Sequence, residues 1–450
     1  MLAVRTIGNA TLVAYEGEPV LTTDPWLDRS GAYFGSWGLS HHVPAQMVDD
    51  IAKCPFVWLS HGHPDHLDLE SLAGMRASCI LLPEHRGGRI HAELSQQGFR
   101  VRVLKDRQWL RLSPRIRVMT LADYNQDALL LLEVGSRLFV NLNDASDRGW
   151  GRFVSKIIGG YRESYLLKLC GFGDADMINF FDEAGQRIDP PAARSEPVGR
   201  KLARQAEFYG VTQVIPFSSF HRYQRSDSAW ANVWTTPLEA YADGFVSSKA
   251  TLLSAFVQVE ATTGAVTELR PQAKAAQMRS PEDCGDSWVD QLEADDVRLA
   301  RDYFVSRELV RQSFGFVRLR VGGRDTVIDL DGDRKRGITF ETPRASLVSA
   351  MKHEIFDDLL IANFAKTTLH GVASLYPEFT PPVAKYADNG RARTRAEVRH
   401  YFFDYLKRNP TSLLLHALEK SAHARVRPLF SKDSRAYAMA RRLYVDLKRA

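Results

Sequence analysis

One short segment, residues 60–68 with the sequence SHGHPDHLD, constrains this chain more than any other feature. It follows an apolar run that is typical of a buried strand. Side chains two positions apart at a strand end point the same way, so His61 and His63 can share one metal ion. Asp65 and His66, one turn later, face a second ion. The spacing predicts a metal site, and a polar loop with incidental histidines is the weaker interpretation.

The length and composition indicate an ordinary globular protein. A chain of 450 residues suggests two domains, and 44% apolar with 25% charged residues allow a sizeable core. No apolar run approaches the roughly 20 residues that span a bilayer, and the N-terminus lacks the features of a secretory signal. We therefore expect no membrane association and a cytoplasmic location.

The cysteines and the charge exclude two further classes of site. The four cysteines form no Cys-x-x-Cys pair, which argues against a disulfide framework and against a cysteine zinc site. The net charge is only +5, although basic residues concentrate in the tail 425–450. We interpret this tail as a solvated helix face and do not expect nucleic acid as a partner. The cysteines are Cys54, Cys79, Cys170 and Cys284.

Up to about residue 270 the pattern predicts an α/β fold in which two sheets are sandwiched between helices, with the metals where strand ends meet. Residues 270–287 read as a linker. Beyond it, residues 316–330 predict a hairpin around two glycines, and 347–370 and 395–406 predict amphipathic helices. The predicted domains are therefore 1–270 and 287–450. Strands are predicted over 11–14, 19–22, 56–59, 79–82, 100–104, 115–120, 128–134, 138–142 and 213–217, and helices over 45–52, 69–75, 87–97 and 198–209.

The order His-x-His-x-Asp-His resembles the metal motif of the metallo-β-lactamase superfamily. Residues 6–13 and 19–26 are similar to the opening hairpin of the branch that holds phospholipase D-like and ascorbate-lactonase-like members. In that branch the first strand usually carries Gly-His-Ala-Thr, whereas Asn9 stands at the second position here. The resemblance implies a metallo-β-lactamase αββα sandwich, to which the chain adds a C-terminal mixed α/β domain.

This resemblance implies three further ligands. Asp144, at the end of an apolar strand, matches the bridging aspartate, and His221 matches the last histidine. Where zinc hydrolases of the superfamily place another histidine, residues 121–127 have none; Asp123 is the natural replacement and Asp127 the second candidate. A site with one metal, or a degenerate site, is the alternative. The predicted metal ligands are His61, His63, Asp65, His66, Asp123, Asp144 and His221.

A carboxylate in place of a histidine makes the predicted site harder and more anionic. Two divalent metal ions are expected. Because harder metal ions prefer oxygen ligands, this donor set favours iron, with manganese as an alternative. Zinc is a further alternative, since it also accepts carboxylates.

A closer resemblance is to the catalytic region of the CMP-N-acetylneuraminate hydroxylase family. It is carried by residues 24–27, 35–39 and 61–67, with later similarities at 127–144, 216–217, 285–288 and 319–330. That family also has a Rieske iron-sulfur domain, which needs Cys and His in paired motifs. None of the four cysteines lies in a Cys-x-His or Cys-x-x-His. Electrons for oxygen activation would therefore come from a separate reductase or from the substrate.

These resemblances favour a diiron oxygenase, a hydroxylase or N-oxygenase, that acts on a small polar metabolite such as a sugar nucleotide or a biosynthetic intermediate. The alternative is a metal-dependent hydrolase of phosphodiester or lactone bonds, in which Asp65 or Asp144 orients or deprotonates the nucleophile. A scaffold protein with purely structural metals is a third reading. The C-terminal domain would form part of a substrate pocket or the surface of a homodimer. Candidate pocket walls are Trp26, Tyr33, Phe34, Trp37 and Tyr124, and candidate anion contacts are His85, Arg86, Arg148, Arg222 and Arg225.

Overall fold

A computed structural model describes residues 1–169, 177–190, 196–275 and 277–426. Cys170, and the predicted basic tail apart from its first two residues, lie outside these ranges.

Two large sheets form the N-terminal part, and in each of them one half is parallel. Parallel strands end at the same edge, so loops from distant parts of the sequence meet there. The first sheet has eight strands, in the spatial order Val266–Glu268, Val257–Glu260, Leu2–Thr6, Leu12–Glu16, Glu18–Thr23, Phe56–Trp58, Cys79–Pro83 and Arg100–Leu104. The second has seven, in the order Thr251–Leu252, Gln213–Ser218, Ser164–Leu169, Arg137–Asn143, Ala128–Val134, Ile116–Ala122 and Leu110–Ser113.

Alternating side chains of the strands explain why the sheets stack. In the strand Ala128–Val134, Leu130 and Leu132 belong to the core between the two sheets, whereas Leu129 and Leu131 pack in the core that includes helix residues such as Leu202. A strand buried on both faces reads as a continuous apolar run, as this one does. The helices of this part are Ala45–Lys53, Leu69–Ala73, Arg89–Gln96, Gly151–Ile158 and Val198–Tyr209. The predicted αββα sandwich of two sheets between helices is confirmed.

The C-terminal part is the predicted mixed α/β unit. Its five-stranded sheet has the order Phe180–Phe181, Lys366–His370, Gly337–Glu341, Phe316–Val321 and Arg324–Asp329. The predicted hairpin is present as the antiparallel pair of the last two strands. Its α-helices are Ala294–Val305, Glu308–Ser313, Arg344–Lys352, Phe356–Ile361, Arg395–Arg408 and Pro410–Val426, and a π-helix spans Pro381–Asn389. Within the described residues, no helix combines the length and apolar character that a bilayer crossing needs.

The two parts are joined more closely than the predicted division into 1–270 and 287–450 suggests. The edge strand Phe180–Phe181 comes from the first of these ranges yet pairs with Lys366–His370 in the sheet of the second. Tyr401 Oη donates a hydrogen bond of 2.6 Å to the Tyr124 carbonyl, and Asn409 Nδ2 donates one of 3.1 Å to Gly149. The C-terminal part therefore packs against loops that follow strands of the second sheet.

The single helix predicted over 347–370 is wrong. The segment forms two helices, Arg344–Lys352 and Phe356–Ile361, and then the strand Lys366–His370. Glu354 and Asn363 adopt positive φ angles of 56° and 60° at the two breaks. This left-handed backbone ends a right-handed helix, and Asn tolerates it better than most residues.

Residues of the predicted linker are anchored by a buried charge cluster. Arg225 is fully buried, and its guanidinium lies 2.8 Å from Asp286 Oδ2 and 3.0 Å from Asp227 Oδ1. Asp286 also accepts a hydrogen bond of 2.9 Å from the Ser346 amide of the C-terminal part. One buried cation is thus the counter-charge of two carboxylates.

We expect Arg225→Ala to lower the free energy of unfolding by about 3–5 kcal/mol, because it leaves buried carboxylates without a counter-charge. Urea unfolding followed by circular dichroism measures this loss. The matched control is Arg270→Ala, which removes an arginine that is 84% exposed and 3.0 Å from Glu268; the expected change is below about 0.5 kcal/mol. Equal losses in the two variants would contradict the role given to Arg225.

Candidate metal centre

The structure brings together five of the seven predicted ligands, because the strands that precede them end at one edge of the sandwich: His61, His63, Asp65, His66 and Asp144. The metal-ligand run follows the strand Phe56–Trp58, Asp144 follows Arg137–Asn143, and His221 lies three residues beyond Gln213–Ser218. A hairpin turn between Ile116–Ala122 and Ala128–Val134 adds residues 123–127.

The first group of donors is formed by His61, His63 and Asp144. His61 Nε2 lies 2.9 Å from His63 Nδ1 and 3.8 Å from Asp144 Oδ2. One donor atom from each residue falls within 4.8 Å of the others, which suits a single ion. His61 is 4% exposed, so its ring is shielded from bulk water.

The second group is formed by Asp65, His66 and again Asp144. His66 Nε2 lies 3.2 Å from Asp65 Oδ2 and 3.5 Å from Asp144 Oδ2. The same oxygen of Asp144 therefore lies within 4 Å of a ring nitrogen of both His61 and His66. The bridging role of Asp144 between two ions stays a prediction.

The buried carboxylate of Asp24 orients the His66 ring through its Nδ1 atom. Asp24 Oδ2 lies 3.2 Å from His66 Nδ1 and accepts a hydrogen bond of 2.8 Å from Ser60 Oγ. The Ser60 amide donates to the other oxygen of Asp24 at 2.8 Å. Because Asp24 holds Nδ1, Nε2 is directed toward the other carboxylates, an arrangement that is common behind metal-binding histidines.

Asp65 is held by two residues whose roles the sequence did not reveal. Asn9 Nδ2 donates to Asp65 Oδ2 at 2.9 Å, and Tyr33 Oη donates to Asp65 Oδ1 at 2.6 Å. Asn9 Oδ1 also accepts the amides of Ser219 and Phe220 at 2.8 and 3.1 Å. Asn9 thus ties Asp65 to the loop that carries His221. The departure of Asn9 from the usual histidine was the only sequence signal for this role.

His221 is buried in a way that suits a metal ligand. It is 3% exposed, and its ring stacks on Trp37 with the ring centroids 3.4 Å apart. Among the described residues, neither of its ring nitrogens has a hydrogen-bond partner. Burial lowers the pKa of His221 to about 3, although Asp65 opposes this shift. A neutral, buried imidazole with both nitrogens unpaired costs free energy unless a cation or another polar partner meets it.

The turn 123–127 offers two carboxylates with different surroundings. Asp123 Oδ1 accepts the amides of Asn125 and Asp127, at 2.7 and 3.2 Å, within the turn itself. Asp127 Oδ1 lies 3.9 Å from His61 Nδ1. Burial and then the charge of Asp127 raise the pKa of Asp123 to about 8, whereas Lys385 and other neighbours outweigh burial and lower the pKa of Asp127. The second candidate, Asp127, therefore lies near His61, on the Nδ1 side of the ring and not on the Nε2 side that meets His63 and Asp144. The ligand role of Asp123 stays a prediction.

The electrostatics of the two groups differ. Burial, followed by the nearby His66 and His63, lowers the pKa of His61 well below its usual value. Burial also acts to lower the pKa of His66, but Asp65, Asp144 and Asp24 outweigh it and raise that pKa well above the usual value. Metal binding must displace any proton on a ligand nitrogen, so binding at His66 releases one.

The other candidate residues divide between structural and peripheral positions. Arg225 is committed to the buried charge cluster described above, and the Arg86 side chain lies 3.1 Å from Asp404. His85 is closer to the centre, since its Nε2 lies 3.0 Å from the Ser60 carbonyl, and burial lowers its pKa to about 4. Arg148 lies over the Tyr124 ring at 5.4 Å. Arg222 is exposed.

No family model matches the chain. A segment of 145 residues is 26% identical to the cytidine monophosphate-N-acetylneuraminic acid hydroxylase of Asterias rubens, covering 30% of this chain and 22% of that protein. A segment of 150 residues is 25% identical to the inactive human homologue, covering 31% of this chain and 30% of that protein. The matched segment thus spans less than a third of each of these two relatives. Over this segment, the match confirms the predicted resemblance to the CMP-N-acetylneuraminate hydroxylase family.

Solved structures with a similar arrangement include hydrolases and a hydroxylase. Isothiocyanate hydrolase from Delia radicum gut bacteria is 16% identical with a TM-score of 0.38, covering 58% of this chain and 99% of that chain. CmlA, a diiron beta-hydroxylase from Streptomyces venezuelae, is 15% identical with a TM-score of 0.37, covering 59% of this chain and 54% of that chain.

The different positions of Asp123 and Asp127 in the turn 123–127 predict different effects of replacing each by asparagine. Asp127→Asn is expected to weaken metal binding by at least the roughly 10- to 100-fold that a supporting residue contributes, because Asp127 faces His61. Asp123→Asn should change it less, since an amide oxygen can still accept the hydrogen bonds of the turn. Competition with a chelator, read by elemental analysis, measures both affinities. The reverse order would favour Asp123, the first choice from the sequence.

Proposed function

We propose that this chain is a dinuclear metal enzyme, specifically a diiron oxygenase that hydroxylates or N-oxygenates a small polar metabolite. The observation that carries the proposal is the mixture of donors at one buried edge. The carboxylates of Asp65, Asp127 and Asp144 lie among the rings of His61 and His66. Such oxygen-rich sets favour iron or manganese, whereas structural zinc sites are dominated by Cys and His.

The residues of the chain provide geometry and exclude water. When bound, iron supplies the activation of dioxygen, which no protein side chain performs. Asn9 and Tyr33 fix both oxygens of Asp65, and Asp24 fixes His66. Tyr33, 3% exposed, and Trp37, 2% exposed, pack against each other with ring centroids 4.4 Å apart and keep bulk water away from this side of the centre.

The substrate is a small molecule that enters beside Tyr33. A cavity of about 340 Å³ is lined by Tyr33, Pro64 of the metal-ligand run and Asp358 of the C-terminal part. This volume suits a small metabolite. The curated relatives carry the name of a sugar nucleotide, cytidine monophosphate-N-acetylneuraminic acid, and support that class as the first to test.

The electrons for oxygen activation are supplied by a donor other than a Rieske centre of this chain. Since none of its cysteines lies in a Rieske pattern, a separate reductase or the substrate itself is the proposed donor.

A second candidate function is hydrolysis of a phosphodiester or lactone bond. The observation in its favour is that carboxylates of Asp65 and Asp144 border the same ring nitrogen of His66. Two metal ions lower the pKa of water toward neutrality. Asp65 or Asp144 would then orient the attacking water and accept its proton.

Metal content separates the two candidates. Protein purified without added metal is expected to hold about two iron ions per chain and to consume dioxygen when a reductant is supplied. His61→Ala should lose most of the iron, because it removes a donor of the first group. His400→Ala is the matched control, since His400 is exposed and bonds the carbonyl of Ala396 on its own helix.

Two zinc ions per chain, together with esterase turnover, would contradict the oxygenase and support the hydrolase. A single inert ion, unaffected in His61→Ala, would contradict both functions and favour a structural role for the metal.

A further inference from the structure

Both ring nitrogens of His63 have polar partners, and one of these partners lies outside the N-terminal sandwich, in the C-terminal part. His63 Nδ1 lies 2.9 Å from His61 Nε2. His63 Nε2 lies 3.0 Å from Oδ2 of Asp357, which belongs to the helix Phe356–Ile361 of the C-terminal part. A ligand of the first donor group is therefore in direct contact with the second domain.

This contact selects one tautomer of His63. A neutral imidazole has one N–H donor and one acceptor nitrogen. Because the Asp357 carboxylate is an acceptor, the proton is held on Nε2, and the lone pair of Nδ1 points toward His61. That is the form in which a histidine binds a metal through Nδ1.

Asp357 has its own counter-charge. Lys385 Nζ, on the π-helix Pro381–Asn389, lies 3.5 Å from Asp357 Oδ2. The two side chains are only 8% and 4% exposed. A buried carboxylate beside a buried ammonium keeps its charge, and removal of either partner leaves the other uncompensated.

The helix that carries Asp357 is fixed at both ends. The Phe356 amide donates to Asp388 Oδ2 at 3.4 Å, and Ser36 Oγ donates to the Ala362 carbonyl at 2.7 Å. Ser36 belongs to the N-terminal part, so this helix is docked directly onto the sandwich. A rigid support is what a residue needs in order to fix the orientation of a ligand.

We propose that Asp357 is a positioning residue of the metal centre, contributed by the C-terminal part, which holds His63 in its ligand tautomer and orientation. Lys385 balances the charge of Asp357 and keeps the carboxylate in place. The inference rests on the proposed metal centre at His61, His63 and Asp144, and it assigns to the second domain a role at that centre.

The competing reading makes Asp357 a ligand of an additional ion. His63, Asp357 and Asp358 have donor atoms within 4.8 Å of one another. An ion there would lie beside the ammonium of Lys385, and the two cations would repel each other at short range in a buried site. The position of Lys385 therefore favours the positioning role.

The test is a titration of the metal-free full chain with Co²⁺, which reports the number of ions bound, their affinity and the visible spectrum. Asp357→Ala is expected to keep the stoichiometry of the unchanged protein and to lower the affinity by about 10- to 100-fold. Asp357→Asn should lower it less, because its amide oxygen can still accept the hydrogen bond from His63 Nε2. Lys385→Met should shift the affinity in the same direction. The Co²⁺ bands of Asp357→Ala should also change, because His63 loses the acceptor that orients it.

The matched control is Asp50→Asn. Asp50 is another buried carboxylate, which accepts a hydrogen bond of 2.8 Å from Tyr15 and lies 3.5 Å from Arg5. It is expected to lower the thermal midpoint without changing Co²⁺ affinity. Equal Co²⁺ affinity and spectrum in Asp357→Ala and the unchanged protein would overturn the inference and leave the proposed function standing. Loss of one bound ion in Asp357→Ala would show that Asp357 is a ligand and would overturn the inference too. No Co²⁺ binding by the unchanged protein would overturn the metal centre together with the inference.

Discussion

Buried negative charge at one edge of the sandwich is the constraint on which the rest of the site depends. Asp24, Asp65 and Asp144 are all brought there by strand ends, and Asp24 has no exposed surface. Carboxylates removed from water are tolerated only when hydrogen bonds or cations compensate them. Asp24 is satisfied by Ser60 and His66, so its charge becomes a fixed support. Asp144 Oδ2 lies 3.8 Å from His61 Nε2 and 3.5 Å from His66 Nε2, so this oxygen is common to the two groups of donors.

The parts of the structure that could be predicted are those set by local pattern. The long apolar strands of the second sheet and the spacing of His61, His63, Asp65 and His66 are written in neighbouring residues, and the sheet order then places Asp144 beside them. The choice between Asp123 and Asp127 could not be read in this way. Both lie in one short turn, and only its folded backbone decides which carboxylate bonds the turn and which faces His61.

Residues that support the ligands were missed for a different reason. Tyr33 and Asp357 lie 32 and 294 positions from the residues they hold, and neither belongs to a pattern that specifies the partner. Their contacts depend on the docking of the two parts of the chain. The break of the predicted helix 347–370 belongs to the same class. Its left-handed residues, Glu354 and Asn363, are fixed by tertiary packing: Asn363 Oδ1 accepts the distant amide of Ile178 at 2.9 Å.

The contact between the C-terminal part and the sandwich also bears on the function of the protein. The αββα sandwich serves many reactions, so the architecture alone does not choose between oxygenation and hydrolysis. In this chain the C-terminal part contacts His63 through Asp357 and borders the adjacent cavity through Asp358. A residue that orients a ligand and a neighbour that lines the cavity lie on one helix. Any shift of that helix would therefore change metal geometry and substrate access together, which couples the second domain to the chemistry of the first.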